Sequence, residues 1–338
     1  MLMNSNDYFN TIEAIKSEIK TAQYKAALSA NRELIMLYYN IGNTINEHKA
    51  WGNKFIDNLA ADIKLEFPNV KGYSVRNLKY MAKFAETYSD KQFVQQVVAQ
   101  IPWGQNIVLL DRVNDITVRR WYVEKTLENG WSRNVLVHQI ESDLYNRQVT
   151  ANKVSNFEKL LAPPQSELAA QTMKDPYIFD FIPFRKDMVE RDIENALVKD
   201  VTKLLLELGT GFAFLGNQYH LNVGGDDFYI DLLFYNLNLR SYVVIELKTG
   251  DFKPEYAGQL NFYLSAVDGI LKTERDNPSI GLLLCKNKNN LVAEYALKDM
   301  SKPIGVSEYK ITSNLPEELM NQLPSIEDIQ NRIKERES

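Results

Sequence analysis

Three residues in the second half of this 338-residue chain have the types and spacing that chemistry needs: Asp231, Glu246 and Lys248. Asp231 stands in the apolar run Asp226-Asp-Phe-Tyr-Ile-Asp-Leu-Leu-Phe-Tyr235. The two-residue period of a strand puts Phe228, Ile230, Leu232 and Phe234 on one face and Tyr229, Asp231, Leu233 and Tyr235 on the other. Fifteen positions after Asp231, Tyr242-Val-Val-Ile-Glu-Leu-Lys248 sets Glu246 and Lys248 on one face and Val243, Ile245 and Leu247 on the opposite one. Burying such charges in hydrophobic strands is costly unless they pair or hold a metal. Two carboxylates on neighbouring strands, with the Leu247 carbonyl between Glu246 and Lys248, supply the hard oxygens that suit Mg²⁺, or Mn²⁺ in its place. A bound metal lowers the pKa of a water and neutralises charge developing on phosphorus. Lys248, on the same face, can orient that water, ease its deprotonation or stabilise a pentacovalent phosphorane. The competing reading is a plain cross-strand salt bridge that closes the end of a sheet.

The elements around these residues follow from periodicity and breakers. Lys186 to Leu208 alternates charge with Leu, Ile and Val at helical spacing, and Gly209-Thr-Gly211 stops it, which predicts a helix of about six turns. Short β-rich runs follow at Phe212–Leu215, Gln218–Val223, Asp227–Tyr235 and Tyr242–Lys248, separated by the turn signals Gly224-Gly225 and Asn236-Leu-Asn238. Pro254 opens a helix to about Val267. A buried strand at Ile280–Cys285, a short helix near Val292–Leu297 and a last strand near Ile304–Tyr309 complete a mixed sheet with helices on its faces. In the Pro254 helix, Tyr256, Gln259 and Tyr263 share a face opposite Ala257, Leu260 and Leu264, and Lys253 just before it is a candidate phosphate contact.

Ahead of this region the pattern is helical from Tyr8 to about Asn146. Within it, residues 54–66 read as a helix, 67–72 as a turn and 74–84 as a second helix capped by Ser74, a helix-turn-helix or winged-helix-like layout. Arg76, Lys79 and Lys83 line one face of the second helix, as a phosphate- or groove-binding surface requires. Prolines at 163, 164 and 176 mark a break. The expected organisation is therefore α+β in two domains: an all-helical, DNA-binding domain at 1–150, a linker at 151–180, an α/β domain at 181–312 and a C-terminal helical tail at 313–338.

An acid-bearing helix, Asp231 on one strand, Glu246-Leu-Lys248 on the next and then a crossover helix resemble the PD-(D/E)XK nuclease superfamily. The runs Gly209–Leu215, Asp226–Tyr235, Val244–Gly250, Phe252–Tyr263 and Pro303–Val306 resemble more closely the YhcG family, which joins a helical front domain to such a nuclease domain. Gly72–Met81, with its Gly-Tyr-Ser-Val-Arg-Asn-Leu-Lys-Tyr-Met pattern, is similar to that front domain. The resemblance implies a restriction-endonuclease-like fold over about 175–312, metal ligands at Asp231 and Glu246, and the superfamily's lysine at Lys248. It also implies a helix-borne acid, with Glu190, Glu194 and Glu207 as candidates and Glu194 matching the first-helix pattern best. Gln259 matches a glutamine that several branches carry near the site. Ile230 departs from the proline in the superfamily's name.

Composition sets the outer bounds. With 45% hydrophobic and 25% charged residues the chain is an ordinary globular protein, not a disordered or fibrous one. The lone Cys285 rules out an intrachain disulfide and a cysteine zinc site, and His48, His138 and His220 are too scattered for a histidine mechanism. No membrane span or secretory leader is evident, so a cytoplasmic location is expected. The net charge of −5 hides an asymmetry: residues 1–150 carry 18 Lys and Arg against 16 Asp and Glu, and the remainder carries 21 against 28. The combined expectation is an Mg²⁺-dependent endonuclease acting on DNA, with a twofold homodimer suggested by the need to cut two strands. A non-catalytic nucleic-acid-binding or adaptor protein on the same fold, or a junction resolvase or RNA-processing nuclease, uses the same residues.

Overall fold

The computed structural model describes residues 5–48, 53–183 and 188–311. The tail expected at 313–338 and the start of the helix expected from Lys186 lie outside the described residues. The chain divides into two compact units, one ending at Tyr145 and the other beginning at Asn146.

The first unit is helical: α1 (Ser5–Glu47), α2 (Asn53–Glu66), α3 (Val75–Thr87), α4 (Lys91–Gln96), α5 (Trp103–Arg112), α6 (Ile116–Asn129) and α7 (Arg133–Glu141). Polar side chains start several of these helices by accepting orphan backbone N–H groups: Ser74 from Asn77, Asp90 from Gln92 and Phe93, Asp115 from Thr117 and Val118, and Ser132 from Val135. Helix α3 buries Leu78, Met81, Phe84 and Ala85, which leaves Arg76, Lys79 and Lys83 on its exposed side. Helix α1 crosses α3 closely at Gly42, where any Cβ atom would run into the Met81 carbonyl oxygen.

The second unit is a mixed sheet between helical layers. Its elements are β1 (Val154–Ser155), α8 (Phe157–Leu160), α9 (Gln165–Thr172), β2 (Tyr177–Ile178), α10 (Glu190–Lys199), α11 (Val201–Leu208), β3 (Phe212–Val223), β4 (Asp226–Asn236), β5 (Ser241–Asp251), α12 (Pro254–Ile270), β6 (Ile280–Asn287), α13 (Asn290–Leu297) and β7 (Ile304–Lys310). The sheet order is β1-β7-β6-β5-β4-β3, with β2 also on β7. Strands β5, β6 and β7 run parallel, and the β3–β4–β5 meander is antiparallel. One face packs under α10 and α11 through Ile193, Leu197, Leu204, Leu232, Phe234, Ile245 and Leu247. The other packs under α12 and α13 through Ile230, Leu233, Val244, Leu260, Leu264 and Cys285, which places the lone thiol in the core.

Three expectations change. Residues 151–180, read as a linker, are folded into the second unit: β1 and β2 pair with β7, and Phe157, Leu161, Ala169, Met173 and Tyr177 are core residues. Prolines interrupt helices here without freeing the chain from the core. The long helix expected to end at Leu208 is two helices, because Asp200 leaves helical geometry and accepts the Lys203 N–H to cap α11. The separate strands expected at 212–215 and 218–223 are one strand, β3, with a register shift between Phe214 and Gly216.

Candidate active site

The β4–β5 ladder runs from Asn236↔Ser241 to Leu232↔Ile245. Beyond Leu232, side chains replace main-chain pairing. The Asp231 N–H donates to Glu246 Oε1 at 3.3 Å, and the Leu247 N–H donates to Asp231 Oδ2 at 2.9 Å. Each carboxylate thereby holds the other strand's backbone, a reciprocal clasp that fixes both acids at the point where the strands part. The clasp also corrects the face assignment along β4. Phe228 and Ile230 pack on the α12 side, whereas Leu232 and Phe234 pack on the α10 side, so the strand changes face at Asp231 instead of alternating regularly.

Glu246 and Lys248 share a face of β5, as their spacing predicts. Lys248 Nζ lies 3.5 Å from Glu246 Oε2 and 3.4 Å from Glu190 Oε2. Its ammonium also sits 5.4 Å from the centre of the Tyr256 ring, which Lys253 Nζ approaches at 6.0 Å. Glu190, the first residue of α10, accepts in addition from the Thr249 N–H at 3.4 Å. One turn along, Glu194 is 2% exposed and accepts from Asn217 Nδ2 at 2.9 Å and Gln218 Nε2 at 2.6 Å. Gln218 Nε2 also reaches Asp231 Oδ1 at 3.4 Å.

Three carboxylates, Glu190, Asp231 and Glu246, thus act on one ammonium, with Glu194 beside Asp231, and the electrostatics follow. Glu246 is 1% exposed, and burial, reinforced by the charge of Asp231, pushes its carboxyl up to about 8. Burial likewise raises Asp231, against the pull of the Leu247 N–H and Lys248. Burial alone would lower Lys248, but Glu246, Asp231 and Glu190 outweigh it and hold the ammonium above its ordinary range. An acid cluster whose negative form is this disfavoured suits a cation. Among the described residues no group of three or more His, Cys, Asp or Glu side chains is arranged as a metal cage. The side-chain donors brought together are the Asp231 and Glu246 carboxylates, hard oxygens of the kind that divalent cations such as Mg²⁺ prefer.

The remaining candidates separate. Gln259 donates to the Tyr263 hydroxyl at 3.0 Å, and Tyr263, buried under the site, is raised by burial with Glu246 and Asp231 adding to the effect. Asn217, Gln218, Tyr256 and Tyr263 complete the surroundings. The helical spacing of Tyr256 and Tyr263 with Gln259 signals both tyrosines, whereas nothing local marks Asn217 and Gln218. His220 is exposed on β3 and bonds Asp227 at 2.8 Å. In the first unit, Val75, Arg76, Lys79, Tyr80 and Lys83 line an open groove of about 530 Å³. Lys83 donates to the Leu110 carbonyl at 2.8 Å and lies 3.3 Å from Asp111, so its charge is already engaged; Arg76 leans on the Tyr80 ring at 5.8 Å.

Residues 170–324 match the YhcG PDDEXK nuclease domain, and residues 14–147 match the DUF1016 N-terminal domain. The chain is 29% identical over 336 residues to the Escherichia coli (strain K12) protein named "Putative nuclease YhcG", covering 89% of this chain and 88% of that one. Among solved structures, a repair endonuclease from Pyrococcus abyssi aligns at 15% identity and a TM-score of 0.26, over 39% of this chain and 50% of its own. The EndoMS-dsDNA2 complex aligns at 15% identity and a TM-score of 0.26, over 40% and 51%. The chain therefore spans about half the length of these two structures. Among the described residues no helix is long and apolar enough to cross a membrane.

Proposed function

On the premise that the chain carries both domains of the YhcG family, a DUF1016 N-terminal domain and a PDDEXK nuclease domain, we propose that it is a divalent-metal-dependent endonuclease acting on DNA. The observation that carries this reading is the clasp between Asp231 and Glu246, with the Lys248 ammonium 3.5 Å from Glu246. Asp231, Glu246 and the Leu247 carbonyl are the residues that would hold the ion, Mg²⁺ first and Mn²⁺ in its place. When bound, the ion acidifies a water and offsets negative charge on the phosphate. Lys248, fixed between Glu246 and Glu190, presents N–H donors to the attacking water and to the phosphoryl oxygens as charge builds on them. Glu190 and Glu194 flank the site on the α10 side. Gln259 supports it indirectly, by orienting the Tyr263 hydroxyl.

In this reading the helical unit would supply DNA contact through Arg76 and Lys79, with Lys83 shared between this surface and Asp111, and Lys253, 6.0 Å from the Tyr256 ring, would meet a phosphate beside the site. A cytoplasmic location and a homodimer for double-strand cutting complete the reading. Incubating the purified chain with supercoiled plasmid in Mg²⁺, Mn²⁺ or EDTA tests it. Nicking or linearisation in either metal, abolished by EDTA, is expected. Cleavage that persists in EDTA contradicts metal dependence, and binding without cleavage in any metal favours the non-catalytic alternative.

A further inference from the structure

Gln218 and Asn217 do something that a regular strand forbids. Consecutive strand residues point to opposite faces, yet Asn217 Nδ2 and Gln218 Nε2 donate to the two oxygens of the same carboxylate, Glu194, at 2.9 and 2.6 Å. The backbone permits this because Gln218 adopts φ +43°, a left-handed conformation uncommon for a side chain of this kind. It does so just after the β3 register shift between Phe214 and Gly216. Gln218 lies between the pairs Asn217↔Leu232 and Tyr219↔Ile230, hence across from Asp231, and its same amide nitrogen reaches Asp231 Oδ1 at 3.4 Å. A disfavoured backbone angle kept next to clustered carboxylates is where strain is commonly stored for function.

We propose that Gln218 is a positioning residue: its side-chain amide bridges Glu194 of α10 and Asp231 of β4, and Asn217 locks the far oxygen of Glu194. An amide suits this task because its NH₂ group offers two donors and no charge, so one nitrogen holds two like-charged groups side by side. A glutamate of the same shape has no such donors when ionised and adds a further negative charge. A lysine would neutralise the acids that a cation needs. The catalytic consequence rests on the nuclease reading above, whereas the bridge itself rests on geometry alone.

Two variants of the full chain test the bridge, Gln218→Gly and Gln218→Glu. Glycine accepts the left-handed angle freely, which offsets part of the cost of leaving the buried Glu194 carboxylate short of one donor, so a Gln218→Gly protein is expected to stay folded and to melt within a few degrees of the wild type. It is expected nonetheless to lose about ten- to a hundredfold in kcat on plasmid with KM little changed, the size of effect seen when a group orienting a ligand is removed. Gln218→Glu is expected to lose at least as much. Crystal structures of the variants should show the Glu194 and Asp231 carboxylates turned away from their present orientations. A Gln218→Gly protein with wild-type kcat, or one whose two carboxylates stay in place, overturns the inference. A parallel fall of melting temperature and activity with both carboxylates unmoved assigns Gln218 a purely structural role and also overturns it. If the wild-type chain cuts nothing in any metal, the nuclease reading fails, and the carboxylate orientations in the Gln218→Gly crystal still decide the bridge.

Discussion

At the scale of single residues, the fold that buries Glu246 disfavours its ionised form. Glu246 is raised from an ordinary value near 4.5 to about 8 in the folded chain, chiefly by burial. The folded state therefore holds this proton more tightly than the unfolded one. The stability linked to it is complete below pH 4.5 and is lost as pH rises towards 8. In EDTA, Glu246→Gln should melt higher than wild type by several degrees at about pH 8 and by little at about pH 5, and saturating Mg²⁺ should narrow the gap by favouring the charged form. Calorimetry across that range checks it, and a gap that shrinks with rising pH contradicts the assignment. Asp231, Glu246 and Lys248 are legible in the sequence because their signal is local, polar residues set at a two-residue period into apolar strands. Asn217 and Gln218 are not, since their role depends on a register shift and one backbone angle that no spacing rule reports. Between them lies Glu190: the family resemblance favours Glu194, and only the fold brings Glu190 to within 3.4 Å of Lys248.

At the scale of elements, the segment from Asn146 to Ile182 departs furthest from its sequence pattern. Pro163-Pro164 and Pro176 predict a break, and breaks usually lie at the surface. The pairing that holds this stretch is long-range and therefore invisible along the chain. Arg147 lies 2.5 Å from Glu207 of α11, Lys174 Nζ lies 3.6 Å from the other oxygen of that carboxylate, and all three side chains are buried. Lys174 also donates to the Glu207 carbonyl, Arg147 to the Pro176 carbonyl, and Glu207 accepts the Ile178 N–H. Asp175 adds an ion pair with Lys288 at 2.5 Å. Glu207, one of the three sequence candidates for a helix-borne catalytic acid, is bound instead to two cations of its own unit. Glu207→Ala would strand buried positive charge and should cost about 3–5 kcal/mol. That is readable as a lower midpoint in urea, while Glu207→Gln, which keeps part of the hydrogen bonding, should cost less. A Glu207→Ala protein as stable as wild type contradicts the anchoring role.

At the scale of the whole molecule, the net charge of −5 conceals two units of different character, a slightly basic helical one and an acidic one that carries the carboxylate cluster. Part of that acidity is Glu190, Asp231 and Glu246 around Lys248, with Glu194 beside Asp231; on the proposed nuclease reading the acidic unit would meet a polyanion through cations that these carboxylates attract. The division of labour is measurable. Replacing Arg76 and Lys79 by alanine should weaken binding to duplex DNA about equally for different sequences, and should lower the slope of log affinity against log salt by about 1 for each phosphate no longer neutralised. Fluorescence anisotropy at several salt concentrations reads both, and an unchanged slope removes these residues from the DNA surface. The most direct test of the account is the single-turnover rate of plasmid scission at saturating Mg²⁺ for wild type and Asp231→Ala. The prediction is a loss of at least about a thousandfold in the variant with plasmid binding retained; equal rates for the two proteins would contradict it.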